Sequence, residues 1–499
     1  MTDRGDLVSL PESDAPWPPP HLSAPYRAMK ISDAWYSGDH KRLAQVYRHG
    51  AQRRDDGRRR LWGRRHQPHP GKPDQRLHVP LAGDIAGASA SLLFSEPLAL
   101  AVTDTITQAR LDELAEAGGL TNTLLEAAEV CAALGGAYLR CTWDTELVNR
   151  PLITVMQPDR AVPEFAHGIL RAVTFWRELH GSDTSTVWRH LERHERGYIL
   201  HALYQGTSDS IGRRVPLTEH AETAGLADSL GAEGDAIATG IDTLTAVYVP
   251  NLPSRLHRGS TFGRSDYDAP IYDLMDSLDE TWTSWMRDIR LARARLIVPD
   301  SYLRDHGPGR GASFDDDREI WQGLAIPPTE QGAGITLSQF AIRVAEHDST
   351  SDRIMRQAVQ SAGYSVATFG MEDTGAITAT EVKARQRKSM TTRKQKAGYW
   401  TPELAQILHV QLMLDRVLFS PSVMPERPRV AFGDAVSDDP TSVAQTLSLL
   451  TQAQAASVDT RVRILHPDWP DDRVHAEVDR ILVETGQAVP DPMQAGELI

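Results

Sequence analysis

The chain holds only two cysteines, Cys131 and Cys141, in 499 residues. That is too few for a disulfide framework and points to a reducing compartment, with both thiols expected as small buried residues. No apolar run approaches the roughly 20 residues that cross a bilayer, so no membrane partner is expected. The opening stretch, "MTDRGDLVSLPESDAPWPPP", lacks the apolar centre of a signal peptide. Its charge and proline predict a tail without fixed structure over residues 1–25. A GxxxxGK[ST] phosphate loop is missing, which removes a P-loop motor. So is GxGxxG after a strand, which removes the simplest dinucleotide site. There is no Gly-x-Ser-x-Gly elbow, and neither cysteine has a marked histidine partner.

What remains is ordinary in bulk: 40% hydrophobic and 24% charged residues. The length allows two to four domains, or one elongated subunit with several lobes. A net charge of -14 argues against a protein that meets DNA over its whole surface, but leaves a local contact open.

Candidate metal ligands are few. His190 and His194 in "HLERHE" are four apart. A zinc protease helix would need glutamate directly after the first histidine, where Leu191 stands, and the local alternation favours a strand. His66 and His69 lie in an arginine- and proline-rich loop. Asp315, Asp316 and Asp317 in "FDDDREIW" could hold magnesium, but consecutive acids point different ways on any regular backbone. No catalytic residue, metal or cofactor is expected.

Along the chain, two short helices are predicted in "APYRAMKISDAWYSGDHKRLAQVYRHG", then a long exposed loop dense in arginine, residues 53–76. Helical spacing resumes in "VPLAGDIAGASASLLF", where small residues permit close packing, and in "LDELAEAGGLTNTLLEAAEVCAALGG". The middle third turns to alternating, β-branched and aromatic segments such as "AYLRCTWD", "ILRAVTFWRELH" and "STVWRHLERHERGYILHALYQ", which read as antiparallel hairpins. A Gly/Ala/Glu-rich loop is expected at 225–240.

The clearest helix is "SDYDAPIYDLMDSLDETWTSWMRDIRLARARL". Ser265 and Asp268 resemble a capping box. Ile271, Met275, Leu278, Trp282, Trp285, Ile289, Ala292 and Leu296 recur at steps of four and three, a heptad stripe that demands a partner helix. The predicted rod is roughly 45 Å long. Short strands in Gly/Pro loops follow, then a helix in "RVAEHDSTSDRIMRQAVQSAG". Next comes "FGMEDTGAITATEVKARQRKSMTTRKQKAGYW", where a glycine-flanked acidic loop runs into a helix carrying Lys383, Arg385, Arg387, Lys388, Arg393, Lys394 and Lys396. As a helix, that cluster would spread positive charge around much of its surface, for a subunit contact or for phosphate. Three helices with acidic caps end the chain.

Taken in order, these segments resemble the phage portal protein family of the actinobacteriophage type, ring-forming subunits at the vertex where DNA enters tailed-virus capsids. "AWYSGD" and "VPLAGDIAGASASLLFSEPLAL" are similar to its N-terminal wing helices. "GRSDYDAPIYDLMDSLDETWTSWMRDIRLARARL" is similar to its first stem helix, with the Gly-x-Ser-Asp start, and "RVAFGDAVSDDPTSVAQTLSLL" through "EVDRILVETG" to its C-terminal helices.

The resemblance implies an α+β, mainly helical elongated subunit of wing, stem, clip and crown, with a two-helix stem and small antiparallel β regions. Its parts would be wing 26–262, stem helices 263–296 and 346–362, clip 297–345, tunnel loop 363–380, a long helix 381–419 behind the loop, and wing or crown helices 420–499. The tunnel loop facing DNA would be Phe369, Gly370, Met371, Glu372, Asp373, Thr374 and Gly375. Stem packing would rest on Ile271, Met275, Leu278, Trp282, Trp285 and Ile289. The family implies a homo-oligomeric ring, usually of twelve, around double-stranded DNA held without sequence specificity. Its partners are the terminase large subunit, a head-completion or adaptor protein, and the major capsid and scaffolding proteins. It implies no enzymatic activity, and a place in the virion after assembly in the host cytoplasm. Two other readings stay open: a metal-dependent DNA-processing enzyme using Asp315 to Asp317 with the basic helix, and another minor capsid protein.

Overall fold

A computed structural model of the chain describes residues 10–53, 76–183, 185–230, 236–255, 259–292, 342–371, 379–433, 440–466 and 471–486, with short pieces at 295–297, 304–305, 312–313, 336–338 and 469. They belong to two compact units. The first comprises Met1–Glu372 and Gln386–Gly433, the second Asp373–Arg385 and Asp434–Ile499.

The first unit opens with helices α1 (Ser23–Ser37), α2 (His40–Arg53) and α3 (Leu81–Phe94). Strand β1 (Ala99–Ala101), α4 (Thr105–Ala117) and α5 (Leu120–Leu134) follow. A β-rich stretch then runs through β2 (Gly136–Thr142), β3 (Leu152–Met156), β4 (Ala161–Ala166), β5 (Ile169–Glu178), β6 (Val187–Glu195), β7 (Tyr198–Gly206) and β8 (Arg213–Val215). It closes with α6 (Ala221–Leu230), β9 (Ala236–Ala238), β10 (Ala246–Pro250), β11 (Leu252–Pro253) and β12 (Gly263–Arg264). Helices α7 (Ala269–Leu291) and α8 (Val344–Ala362) flank four short strands, β13 (Arg295–Ile297), β14 (Arg304–Asp305), β15 (Ala312–Ser313) and β16 (Thr336–Ser338), paired antiparallel as β13–β16 and β14–β15. Helix α9 (Ala379–Leu418) belongs to this unit from Gln386 on, and β17 (Arg429–Ala431) pairs with β1. The second unit holds α10 (Pro440–Gln452), α11 (Val458–Leu465) and α12 (Asp471–Glu484). The fold is α+β, mainly helical with small antiparallel sheets, as the sequence predicts.

Two sheets make the β-rich part. One runs β4-β5-β6-β7-β8, with β9 also on β7; the other is β10-β2-β3, and every pairing is antiparallel. The β-branched and aromatic residues that predict strands form them, but the alternation is lost in the middles of the strands: Ala172 to Trp176 of β5 and His201 to Tyr204 of β7 are all buried, because both faces of the sheet are covered there. The helices form two cores. One joins α4, α5, the three-stranded sheet and the Trp400–Leu414 half of α9, and it contains Cys131 and Cys141. Burial pushes the Cys131 thiol up to about 12, so it is an inert packing residue. The other joins α1, α2, α3, α7 and α8.

The two cores meet where α5 turns into β2. Gly135 ends the helix at φ 91°, a left-handed conformation that glycine takes without strain. A Cβ on Gly263 would lie 2.1 Å from the Gly135 carbonyl oxygen. The Gly263-x-Ser265-Asp266 segment ahead of α7 therefore needs glycine because two backbones touch there.

Helix α7 pairs antiparallel with α8, the partner that the heptad stripe demands. Ile271, Met275 and Leu278 are buried with Ala358, Val359 and Ala362 of α8. Trp282 and Trp285 are half-buried, and Ile289 is 42% exposed. Farther along, Trp285 stacks on His347 at 5.9 Å, and Asp288 accepts from Arg343 Nη2 at 2.8 Å and His347 Nε2 at 3.0 Å. Packing thus passes from aliphatic to aromatic to ionic along the hairpin. Midway along α7, the buried Asp279 accepts from Tyr47 and from the Val79 amide, and lies 2.9 Å from His78 Nδ1.

Several expectations are corrected. The tail assigned to residues 1–25 is ordered from Leu10 onward. Trp17 is buried edge-on against Trp176, and Asp14, Ala15 and Trp17 hydrogen-bond the 209–212 backbone. Proline and charge predict a tail without fixed structure, but Trp17 has an apolar slot to fill. Helix α7 is shorter than predicted, 23 residues or roughly 35 Å, and ends at Leu291. Its capping box does not form: Ser265 Oγ donates to the Ala132 carbonyl and accepts from the Tyr267 amide, while Asp268 is the N-cap residue without a side-chain bond. The expected 225–240 loop begins as helix α6.

Candidate functional site

The candidate site begins where α8 ends. Gly363, at φ 103°, caps the helix in the left-handed region, and its carbonyl accepts from Thr392 Oγ1 of α9 at 2.6 Å. One residue on, the Tyr364 hydroxyl donates to Asp266 Oδ2 at 2.7 Å. The Ser365 amide donates to Ser389 Oγ at 2.8 Å, and Thr368 Oγ1 lies 2.7 Å from the same hydroxyl. A 3-10 turn, Val366–Phe369, places Phe369 edge-on to Tyr364 and ends at Gly370 with φ 68°. Phe369 and Met371 pack on the second helical core. The first part of the expected tunnel loop is therefore a docked turn stitched to α9 by hydroxyls. Glu372, Asp373, Thr374 and Gly375 lie outside the described residues, which resume at Ala379.

The basic residues of α9 do not act as one set. Lys396 is 1% exposed, its Nζ 2.6 Å from Asp266 Oδ2 and 2.6 Å from Ser89 Oγ. Asp266 also accepts from Asn251 Nδ2 at 2.8 Å. This knot ties α3, the end of β10, the segment ahead of α7, the end of α8 and α9 together. Arg393 spans two carbonyls, donating to Leu92 O at 2.6 Å and to Gly433 O. Lys388 Nζ donates to Gln360 O at the end of α8. Arg387 and Lys394 are exposed, Arg385 is half-buried, and the Lys383 side chain lies outside the described residues. The predicted belt of positive charge is thus corrected: Lys396 is neutralised in the core and Arg393 serves the backbone.

Sequence reasoning missed the Lys396–Asp266 knot, although a signal was present. Ser389, Thr392, Lys396, Trp400, Leu404 and Ile407 recur at helical spacing and all are buried. Lys396 is in phase with an apolar stripe, not with the other cations.

The histidine pair falls on one strand and separates. His190 Nε2 meets His201 Nδ1 at 3.2 Å, while His194 lies between Glu192 and Thr245. Among the described residues no group of three or more His, Cys, Asp or Glu side chains is placed to hold a metal. Asp315 to Asp317, and His66 and His69, lie outside those residues.

Helices, a two-sheet β stretch, an antiparallel pair of long helices, a 40-residue helix and terminal helices define an α+β subunit organised around a helix hairpin. The chain belongs to the phage portal protein family, SPP1 Gp6-like, whose profile matches residues 24–491. It is a protein of the portal vertex, and the family is structural rather than enzymatic. Three solved structures are similar at 12% identity. They are the neck of an empty GTA particle computed with C6 symmetry (TM-score 0.43, covering 77% of this chain and 90% of that one), the neck of a native GTA particle computed with C12 symmetry (0.40, 78% and 89%), and the virion of a native gene transfer agent particle (0.43, 77% and 89%). No curated protein matches the chain.

Proposed function

We propose that this chain forms a closed homo-oligomeric ring at the capsid vertex, with twelve copies around a channel for double-stranded DNA during packaging and ejection. The observation that carries this reading is the family match across residues 24–491, nearly the whole chain. The α7–α8 hairpin supports it, because a cyclic ring must offer unlike faces to its two neighbours. The ring docks the terminase large subunit during filling and a head-completion or adaptor protein afterwards, and it meets the major capsid and scaffolding proteins. It assembles in the host cytoplasm and remains in the virion.

DNA is contacted without sequence specificity. The segment Phe369–Gly375 is the constriction, with Glu372 and Asp373 repelling phosphate so that the duplex slides. Arg387 and Lys394, with Lys383 and Arg385, meet acidic surfaces of a neighbouring subunit or the DNA backbone.

The test is direct. Subunits of 55.1 kDa assembled as a ring sediment at several hundred kilodaltons and show a central hole by negative-stain microscopy. A stable monomer at every salt and protein concentration overturns the reading.

A further inference from the structure

A strand at the edge of a sheet leaves every second N–H and C=O without a partner, and proteins blunt such edges with proline, charge, short length or a covering group. The first unit does so repeatedly. On β1 the Gln108 carboxamide takes the place of a strand: its Nε2 donates to the Leu100 carbonyl at 3.1 Å, and its Oε1 accepts from the Val102 amide at 2.9 Å. Strand β17 is three residues long, begins with Arg429 and follows Pro428. Strand β4 carries Pro163 and Glu164, and the Tyr26 hydroxyl donates to its Ala161 carbonyl. Two of the three residues of β8 are arginines, β9 has three residues, and β10 is buried beside β5 and ends at Pro250.

Strand β3 is different. Its residues, Leu152, Ile153, Thr154, Val155 and Met156, include no proline and no charge, and it pairs on one side alone, with β2. The bonding of β2 fixes which groups point outward. The Cys141 amide donates to the Thr245 carbonyl at 2.8 Å, on the β10 side. Successive residues of a central antiparallel strand bond to opposite neighbours. Cys141 therefore bonds away from Ile153, and Leu152, Thr154 and Met156 are the residues that bond to β2, opposite Thr142, Arg140 and Tyr138. The N–H and C=O of Ile153 and Val155 face the open edge, and among the described residues they have no hydrogen-bond partner. Both faces of the strand are occupied. Ile153 and Val155 pack on the first helical core, Met156 on the cluster of Tyr138 and Phe175, and Thr154 Oγ1 accepts from Arg140 Nε at 3.0 Å. What β3 still offers is backbone.

We propose that a second copy of this chain adds a strand to β3, continuing the β10-β2-β3 sheet across the subunit boundary. The inference rests on the ring reading and gives that ring a named seam. Ile153 and Val155 each present one donor and one acceptor to the incoming backbone, and the absence of charge along β3 suits an extended, uncharged segment. A cyclic assembly needs exactly this asymmetry, because each copy receives on one side and gives on the other. Pairing β3 with β3 of the second copy would create a two-fold axis and stop at a dimer. The added strand therefore comes from a different segment of the neighbour. A chain that covers its other edges with Gln108, Tyr26, proline and arginine keeps this one open for a partner of its own kind.

The experiment is amide hydrogen exchange on the full-length assembled protein, resolved to single residues, with Thr154 as the reference bonded inside the subunit. The expected result is exchange at Ile153 and Val155 within about tenfold of Thr154 in the ring, and at least roughly 100-fold faster in subunits released by dilution. Ile153→Pro removes one outward N–H and leaves the β2 ladder whole. It should raise the concentration at which rings half-dissociate by about tenfold or more, while Ile153→Val leaves that concentration unchanged. Rings in which both amides exchange at the rate of an open chain overturn the proposal. So does protection that persists in released subunits, which would put the cover within one chain. A chain that stays monomeric removes the ring reading and the seam with it, and sedimentation shows this before any exchange is measured. Should Ile153→Pro fail to fold, the wild-type exchange still decides.

Discussion

Lys396 and Asp266 are each within 1% of full burial and 2.6 Å apart, so neither charge has solvent to fall back on. Lys396→Met keeps the aliphatic stem but strands the carboxylate, leaving among the described residues the Tyr364 hydroxyl and the Asn251 amide to satisfy it. Breaking a buried pair from one side costs about 3–5 kcal/mol. A urea midpoint lowered to that extent in Lys396→Met, and partly restored in Lys396→Met/Asp266→Asn, is the expected result. Unchanged midpoints would mean that the knot contributes nothing net. A lysine seen only as letters is assigned to the surface, because burying an ammonium is costly; its partner lies 130 residues away, beyond the reach of local pattern.

At the scale of elements, the α7–α8 hairpin was the most legible feature, since a heptad stripe states both a helix and its need for a partner. The stripe did not disclose its gradient. Ile271 and Leu278 are at most 1% exposed, whereas Ile289 is 42% exposed. Leu278→Ala is expected to cost about 2–5 kcal/mol through the cavity it leaves, and Ile289→Ala less than about 0.5 kcal/mol in the isolated subunit. Parallel denaturant titrations check the contrast, and equal costs would show the far end of the hairpin to be packed as tightly as its start. The strands of the middle third were legible because their β-branched and aromatic composition is local, although their central residues are buried on both faces. The docking of Trp17 was not, because the slot that receives it is built from β5, β6 and β7. The docking of the turn at 363–371 was not legible for a related reason: the hydroxyl ladder that fixes it is contributed by α9.

On the scale of the whole molecule, the proposed ring must let DNA pass without holding it. Glu372→Lys/Asp373→Lys exchanges repulsion for attraction at the proposed constriction. It should leave ring assembly intact while lowering the amount of DNA packaged per particle. Normal packaging by the double variant would remove these residues from the channel. Net charge was readable from composition, but its division was not. The cations that seemed free to meet phosphate are partly spent inside the subunit, on Asp266 and on the carbonyls of Leu92, Gly433 and Gln360.

The hydroxyl stitching between residues 363–368 and α9 also sets a mechanical linkage. Ser389 and Thr392, one turn apart on α9, hold the Ser365 amide, the Thr368 hydroxyl and the Gly363 carbonyl at the end of α8. Neither helix can turn about its axis there without unbuttoning these bonds, so a twist applied to α8 is handed directly to the buried part of α9.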